Sequence, residues 1–455
     1  MLKAIEKLVQ EFRELAKEKI TKIISHYDTD GITAAAILAR ALRRLDVPFS
    51  IKIVKQLDEN YIKELERSIG SKDLLIFLDL GSSHVKLLST FPCEVFIFDH
   101  HEIAETELEE LMKSKKLRFV NPVLFGEESS AAGLAYLFSK ALDERNKDSA
   151  DLAVIGMVGD MQEQMLSKIN TTILRDSNVI VKRSLLLFSA SRPLYKALEF
   201  GSDFWIPGVT GNAAGSLMLL REASIENGKQ RTLLDLSEKE ISRLLTAIML
   251  RKIYTKDAII GNIYLVKFFS QLEDAREISA MINSSSRLGR SDVALDLCLG
   301  IPEAMTKTRQ LYSSYKHEII EALKFVSNDC EKIEGDGYVI IKAGNKIKDS
   351  IIGTVISILS TSFFWPHGTI IVGLAYQQSE KEQTKKDKKE TQYIKISARI
   401  SGRKSGINLS AILSEAAAAA GGEGGGHAQA AGGIIPFENE QLFIDAFKTQ
   451  IENRK

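Results

Sequence analysis

The sequence has few cysteines, no long apolar run and no excess charge of either sign. Its three cysteines, Cys93, Cys298 and Cys330, lie far apart and form no CxxC pair. That spacing argues against a zinc ribbon or a disulfide framework and predicts buried, reduced thiols in a cytoplasmic protein. No apolar run approaches the roughly 20 residues that cross a bilayer, so no membrane span is expected. The opening MLKAIEKLVQEFRELAKEK alternates apolar and charged residues at helical spacing and lacks the features of a secretion signal. Lysine plus arginine number 60 against 60 aspartate plus glutamate, so the basic excess that marks many nucleic-acid-binding chains is missing. A neutral molecule still carries local basic grooves, and composition leaves the partner open. With 44% hydrophobic and 26% charged residues the chain is not disordered, and its 455 residues predict two or three domains.

In the first third, apolar β-type runs alternate with helix-type stretches. KIISH (22–26), SIKIV (50–54), LLIFLDL (74–80) and EVFIFDH (94–100) are separated by ITAAAILARALRRL and YIKELERSI. Nearly continuous apolar strands alternating with helices predict an α/β domain, its parallel sheet covered on both faces. Another helix is expected from Ala131 to about Leu142. From about Gln164 to Gly300 helix-like segments dominate, NVIVKRSLLLFSAS among them, and no repeat is visible. TKTRQLYSSYKHEIIEALKFVSND reads as one amphipathic connector, after which GYVIIKAG, TIIVGLAY and YIKISARI return to strand character. The expected division is a parallel-sheet domain over 1–190, a mostly helical insert over 191–305, a connector helix over 306–330 and a smaller α+β domain over 331–455. The charge run 379–392 reads as a solvated loop.

Chemistry concentrates where the strands end. His26, Asp28 and Asp30 follow the first strand in SHYDTDG; Asp79 ends LLIFLDL; Asp99, His100 and His101 end VFIFDHH; Asp160 ends AVIGMVGD. In a parallel sheet the strand C-termini converge on one crevice, so these carboxylates and imidazoles should meet there. Taken singly, each aspartate is as well explained as a helix cap or turn residue. Taken together they need compensation, because crowded carboxylates raise one another's pKa. Divalent cations supply it, and mixed Asp/His ligation suits Mn²⁺. Two such ions about 3.5–4 Å apart are the usual machinery for phosphoester cleavage.

A second cluster lies near the C-terminus. GGEGGGHAQAAGG (421–433) has glycines, Gly425 and Gly426 among them, that let backbone approach a ligand, with His427 placed to touch a phosphate. A flexible linker is the competing reading, disfavoured by the flanking helix and apolar IIPF. Arg399, Arg403, Lys404 and Ser405 are further candidate phosphate contacts. In the insert, Arg276, Asn283, Arg287 and Arg290 fall near whole helical turns and are expected on one face, for salt bridges or for substrate. Met157, Met161 and Met165 read as core filler.

SHYDTDG, FLDLGSS, FDHH and VGD resemble the four successive motifs of the DHH phosphoesterase superfamily, and GGEGGGHAQAAG resembles the GGGH signature of its DHH-associated C-terminal domain. The likeness runs from about Lys22 to Pro436. Length and insert most resemble the archaeal RecJ-like single-strand exonucleases, the GINS-associated nuclease type. RLGRSDVALDLCLG is similar to their NxxGR…LCLG stretch, although Asn283-Ser-Ser-Ser-Arg287 departs slightly from it. The resemblance implies one ion held by His26, Asp28 and Asp79, and a second held by Asp30, Asp79, His100 and Asp160. It further implies that Asp99 orients an imidazole, that His101 stands near the scissile phosphate, and that His427 and Arg399 bind phosphate.

The resulting expectation is an Mn²⁺-dependent exonuclease, with Mg²⁺ as a substitute, that releases mononucleotides from single-stranded DNA or RNA in replication or repair. GINS and the replicative helicase are the partners the resemblance implies. The alternatives are a GINS-binding helicase scaffold with incidental nuclease activity, which missing ligands would signal and none is missing, and an oligoribonucleotidase or nucleotide phosphatase, for which so long an insert has no evident use.

Overall fold

In the computed structural model the apolar runs of the first third become one parallel sheet. The structure describes residues 1–163, 166–187, 189–201, 205–251, 259–361, 365–377, 392–402 and 407–452. Strands β1 (Ile20–His26), β2 (Phe49–Val54), β3 (Asp73–Leu78), β4 (Glu94–Phe98) and β5 (Leu117–Val120) pair in the order β2-β1-β3-β4-β5, and every pairing is parallel. Order reverses between β1 and β3, and at such a switch point the loops leave in opposite directions and open a crevice at the strand C-termini.

Alternation along the strands divides the core. Ile23, Leu74, Ile76, Leu78, Phe96 and Phe98 pack on one face with the helices Leu2–Leu15, Thr29–Arg44, Ala131–Leu142 and Ala150–Gly159. Ile24, Leu75, Phe77, Val95 and Ile97 pack on the other with Ile62, Val85, Leu88 and Phe91. Both sets are buried, each large side chain contributing about 1.5–3 kcal/mol, which is why these strands are apolar at consecutive positions rather than at alternate ones. Helix Thr29–Arg44 is buried through most of its length and begins directly over β1. A Cβ at Gly31 would stand 2.3 Å from the His26 carbonyl oxygen, so only glycine permits the sharp entry.

The chain forms two compact units, Met1–Ser191 with Gly261–Ser313, and Arg192–Ile260 with Ser314–Lys455. The first unit also contains β6 (Ile180–Leu185), most of β7 (Ile260–Phe268) and β8 (Gln271–Asp274), a sheet ordered β6-β7-β8. NVIVKRSLLLFSAS is thus in part a strand, where the sequence reading expects helix. A short run with mixed periodicity does not tell a strand from a helix, and pairing with the distant β7 decides it.

The second unit holds β9 (Lys332–Gly335), β10 (Tyr338–Gly344), β11 (Ile370–Tyr376), β12 (Tyr393–Ile400), β13 (Glu423–Gly426) and β14 (Ala430–Pro436), ordered β13-β14-β12-β11-β10-β9. Only the β10–β11 pairing is parallel. Helices Leu409–Ala419 and Glu440–Glu452 cover one face through Leu413, Ala417, Phe443 and Phe447. A single helix, Pro302–Asn328, carries the chain out of the first unit. The three cysteines are buried and unpaired. Among the described residues no helix is long and apolar enough to cross a membrane.

Candidate metal centre

The C-terminal ends of β1, β3 and β4 each deliver at least one acidic or imidazole side chain. His26 is the last residue of β1, Asp79 follows β3, and Asp99, His100 and His101 follow β4. Asp28 caps helix Thr29–Arg44, accepting from the Gly31 N–H at 3.0 Å. Asp30, in that helix's first turn, accepts from the N–H groups of Ala131 at 2.6 Å and Ala132 at 2.9 Å, the start of another helix. Asp160 follows helix Ala150–Gly159, not a strand, because a helix buried on all sides shows no periodicity in sequence.

The side chains converge on Asp79, which is 2% exposed. Its Oδ2 lies 3.1 Å from His26 Nδ1, which also lies 3.1 Å from Asp28 Oδ2. Its Oδ1 lies 3.2 Å from His100 Nε2 without a well-formed hydrogen bond. His100 reaches Asp30 at 3.7 Å and Asp160 at 3.5 Å. Three groups have ligand atoms within 4.8 Å of one another: His26, Asp28 and Asp79; Asp30, His100 and Asp160; and Asp79, His100 and His101. Asp79 takes φ +60, a left-handed conformation that Asp tolerates better than most residues. Its N–H meanwhile donates to the Phe98 carbonyl at 2.9 Å.

The electrostatics are those of a site short of positive charge. Burial opposes a charged imidazole at His26, but Asp28 and Asp79 outweigh it and lift its pKa to about 10. His100 rises to about 10 against the same opposition, through Asp79, Asp30 and Asp160. Burial, with neighbouring carboxylates added, pushes Asp30, Asp79 and Asp160 each up to about 6. Asp28 resists burial and falls to about 2 through its contact with His26. A poorly satisfied buried acceptor, carboxylates that resist ionisation and imidazoles that hold protons in their place are what a divalent cation relieves, and Asp/His donors suit one. The residues fit a metal site.

Asp99 stands apart from that set. Its Oδ1 accepts from His101 Nδ1 at 2.7 Å and from the His100 N–H at 2.8 Å, and its Oδ2 accepts from the Ser82 N–H at 2.8 Å. These bonds outweigh burial and hold its carboxyl well below the usual range. His101, its pKa raised chiefly by the Asp99 hydrogen bond, leaves half its side chain exposed.

Several contributors have no signal in the sequence. Asn121 is fully buried; its Nδ2 donates to the His101 carbonyl at 2.8 Å and to Ser82 Oγ at 3.3 Å. Gln162 donates to Asp160 at 2.6 Å and is itself bonded by Asn170 at 3.0 Å. Asn283, by contrast, is among the insert residues the sequence singles out; it accepts from the Thr29 N–H at 2.9 Å, tying helix Ala275–Arg287 to the start of the Asp30 helix.

Other expectations need correction. Arg276 is paired with buried Asp274, and Arg290 lies beyond helix Ala275–Arg287, which Gly289 at φ +75 follows, so the four insert residues do not form one face. Arg287 ends that helix and is exposed. Met157 is buried, but Met161 is 82% exposed, since the chain leaves the helix at Asp160. The glycine-rich stretch is a β-hairpin rather than a cradling loop. Gly424 and Gly425 oppose Gly433 and Gly432, and the His427 N–H donates across the turn to the Ala430 carbonyl at 2.7 Å. The fit is tight enough to require glycine, since a Cβ at Gly426 would stand 2.5 Å from the Ala430 oxygen. His427 and Arg399 belong to the second unit, with Arg399 Nη1 donating to the Ala398 carbonyl at 2.8 Å. Arg403, Lys404, Ser405, Met165 and nearly all of the 379–392 charge run lie outside the described residues.

Residues 21–157 match the DHH family N-terminal domain, 187–259 the DHH-CID domain and 336–453 the DHHA1 domain. An uncharacterized protein of Methanocaldococcus jannaschii is 27% identical over 369 residues, covering 79% of this chain and 81% of that protein. The single-stranded-DNA-specific exonuclease RecJ of Thermus thermophilus is 31% identical over 161 residues, 32% of this chain and 23% of RecJ. Its crystal structure with Mn²⁺ aligns over 99% of this chain and 54% of that one, with a TM-score of 0.58 at 20% identity; it is also known with Mg²⁺. This chain thus spans about half of the RecJ chain it matches. CDC45 from Entamoeba histolytica aligns over 99% of both chains, with a TM-score of 0.69 at 13% identity, a likeness of fold. The chain thus carries a DHH N-terminal domain, a DHH-CID domain and a DHHA1 domain, in that order.

Proposed function

We propose that this protein is a metal-dependent exonuclease that hydrolyses phosphodiester bonds of single-stranded DNA or RNA and releases mononucleotides, in replication or repair. The observation that carries the reading is the complete set His26, Asp28, Asp30, Asp79, His100 and Asp160, gathered at one sheet edge with Asp79 between the two ligand groups. His26, Asp28 and Asp79 would hold one divalent cation, Mn²⁺ by preference, and Asp30, His100 and Asp160 with Asp79 the other. Two such ions supply Lewis acidity, acidifying a water and drawing charge from the phosphate.

The chain's own residues do the positioning. The Ala131 and Ala132 N–H groups fix the Asp30 carboxylate, Gln162 fixes Asp160, and Asp99 holds the His101 ring with its exposed edge outward. His101, whose proton the Asp99 hydrogen bond makes harder to remove, could hand a proton to the leaving oxygen or bond a phosphate oxygen. His427 and Arg399 are proposed as phosphate contacts on the family resemblance. A scaffold role beside GINS and the helicase is compatible with the CDC45-like fold, but the full ligand set favours an active enzyme.

Digestion of end-labelled single-stranded DNA and RNA with Mn²⁺ tests the reading. A ladder shortening from one end, abolished by chelation, is expected. Cleavage of dinucleotides alone would make it a small-substrate phosphatase, and no cleavage of any strand would leave the scaffold reading.

A further inference from the structure

An exposed apolar turn borders the metal centre. After Asn121, at the C-terminal end of β5, the 3₁₀ turn Pro122–Phe125 presents Val123, Leu124 and Phe125, which are 45%, 40% and 45% exposed. It leaves the sheet at the same edge as the ligands and beside the β4 end that supplies His100 and His101. Both ends of the segment are tied to site residues. Asn121 Nδ2 donates to the His101 carbonyl at 2.8 Å, and the Ala131 and Ala132 N–H groups donate to Asp30.

The turn is also internally fixed. Asn121 Oδ1 accepts from the Val123 N–H at 2.9 Å, Gly126 donates back to the Val123 carbonyl at 3.1 Å and Glu127 to the Pro122 carbonyl at 3.0 Å, with Gly126 at φ +64. Met161, directly after Asp160, is exposed as well, at 82%. A rigid apolar surface beside a phosphate-handling centre calls for an apolar, flat occupant. Glu127 and Glu128 follow the turn, and their charge repels a phosphate backbone. What remains to contact the turn is a base.

We propose that Phe125, with Val123 and Leu124, is the platform on which the base of the terminal nucleotide stacks while its phosphate lies on the metal centre. The proposal rests on the nuclease reading above. It predicts recognition of a base without regard to its identity, since every base has a π face.

The test compares Mn²⁺-dependent cleavage of a DNA single strand with that of the same strand carrying one abasic nucleotide at the 5′ end or the 3′ end. For the wild type, KM should rise between about 5-fold and 150-fold when the abasic residue occupies the attacked end, the loss of one stacked base. In Phe125→Ala that ratio should fall to about one, and Phe125→Trp should keep it. A wild-type ratio near one at both ends, or an undiminished ratio in Phe125→Ala, would overturn the platform while leaving the nuclease intact. Wild-type protein that binds Mn²⁺ yet cleaves no strand would overturn the nuclease reading, and the platform with it.

Discussion

Loading the metal centre should expel protons, and the number follows from the site. Without ions His26 and His100 hold pKa values of about 10, so both are protonated at pH 7. Asp30, Asp79 and Asp160, each at about 6, carry about one-tenth of a proton apiece there. Ligation needs neutral imidazoles and ionised carboxylates, so filling both positions should release roughly 2.3 protons at pH 7, about 3.5 at pH 6 and about 2 at pH 8. The sign is fixed: groups whose pKa is raised in the metal-free protein compete with the cation, so apparent affinity climbs with pH. Between pH 7 and 9 the overall constant should gain about two decades per pH unit. Titration calorimetry with Mn²⁺ in buffers of different ionisation enthalpy counts the protons directly. Saturable binding with no proton release, or affinity flat from pH 6 to 8, would refute the assignment of these residues as ligands.

Asp99→Asn removes the charge that raises His101 without removing a proposed ligand, so Mn²⁺ binding should persist. Hydrolysis should drop about 10²–10⁴-fold, the range for losing a positioned acid, and the alkaline limb of the pH profile should move to lower pH because His101 then loses its proton sooner. Gly156→Ala places a Cβ 2.3 Å from Ala132 Cβ and 2.9 Å from Asp30 Oδ1. Thermal melting should show a loss of about 1–3 kcal/mol, and Mn²⁺ affinity should fall as well because Asp30 must shift. Melting the wild type with chelator and then with Mn²⁺ should raise Tm, by a margin that widens from pH 6 to pH 8; an equal margin at both would contradict proton competition.

Much of the sheet and the positions of the acidic residues were readable in advance, for one physical reason. A strand buried on both faces must be apolar throughout, so the first charged residue marks its end; LLIFLDL and VFIFDHH therefore announce both element and site. The same uniformity hides the helix before Asp160, because every residue from Leu152 to Val158 is buried. Asn121, Ser82 and Gln162 carry no signal of their own, since a neutral polar residue after an apolar run is ordinary; the partners of Asn121 and Ser82 are also far off in sequence. Glycines permit both loop and strand, so the sequence does not announce the hairpin around His427, and pairing with β14 settles it. Spacing alone continues through Met161 a helix that ends at Gly159, so its exposure is not legible in the sequence.

We propose that this Asp/His cluster is a two-ion phosphodiester centre organised around Asp79. It is tested most directly by release of nucleotides from an end-labelled single strand with Mn²⁺, comparing the wild type with Asp79→Ala of verified fold. Nucleotide release by the wild type, silenced by chelator, is expected, with a rate at least about 10³-fold lower in the variant, because removal of Asp79 would disturb both ion positions. Cleavage by Asp79→Ala at the wild-type rate, or full wild-type activity in excess chelator, would contradict it.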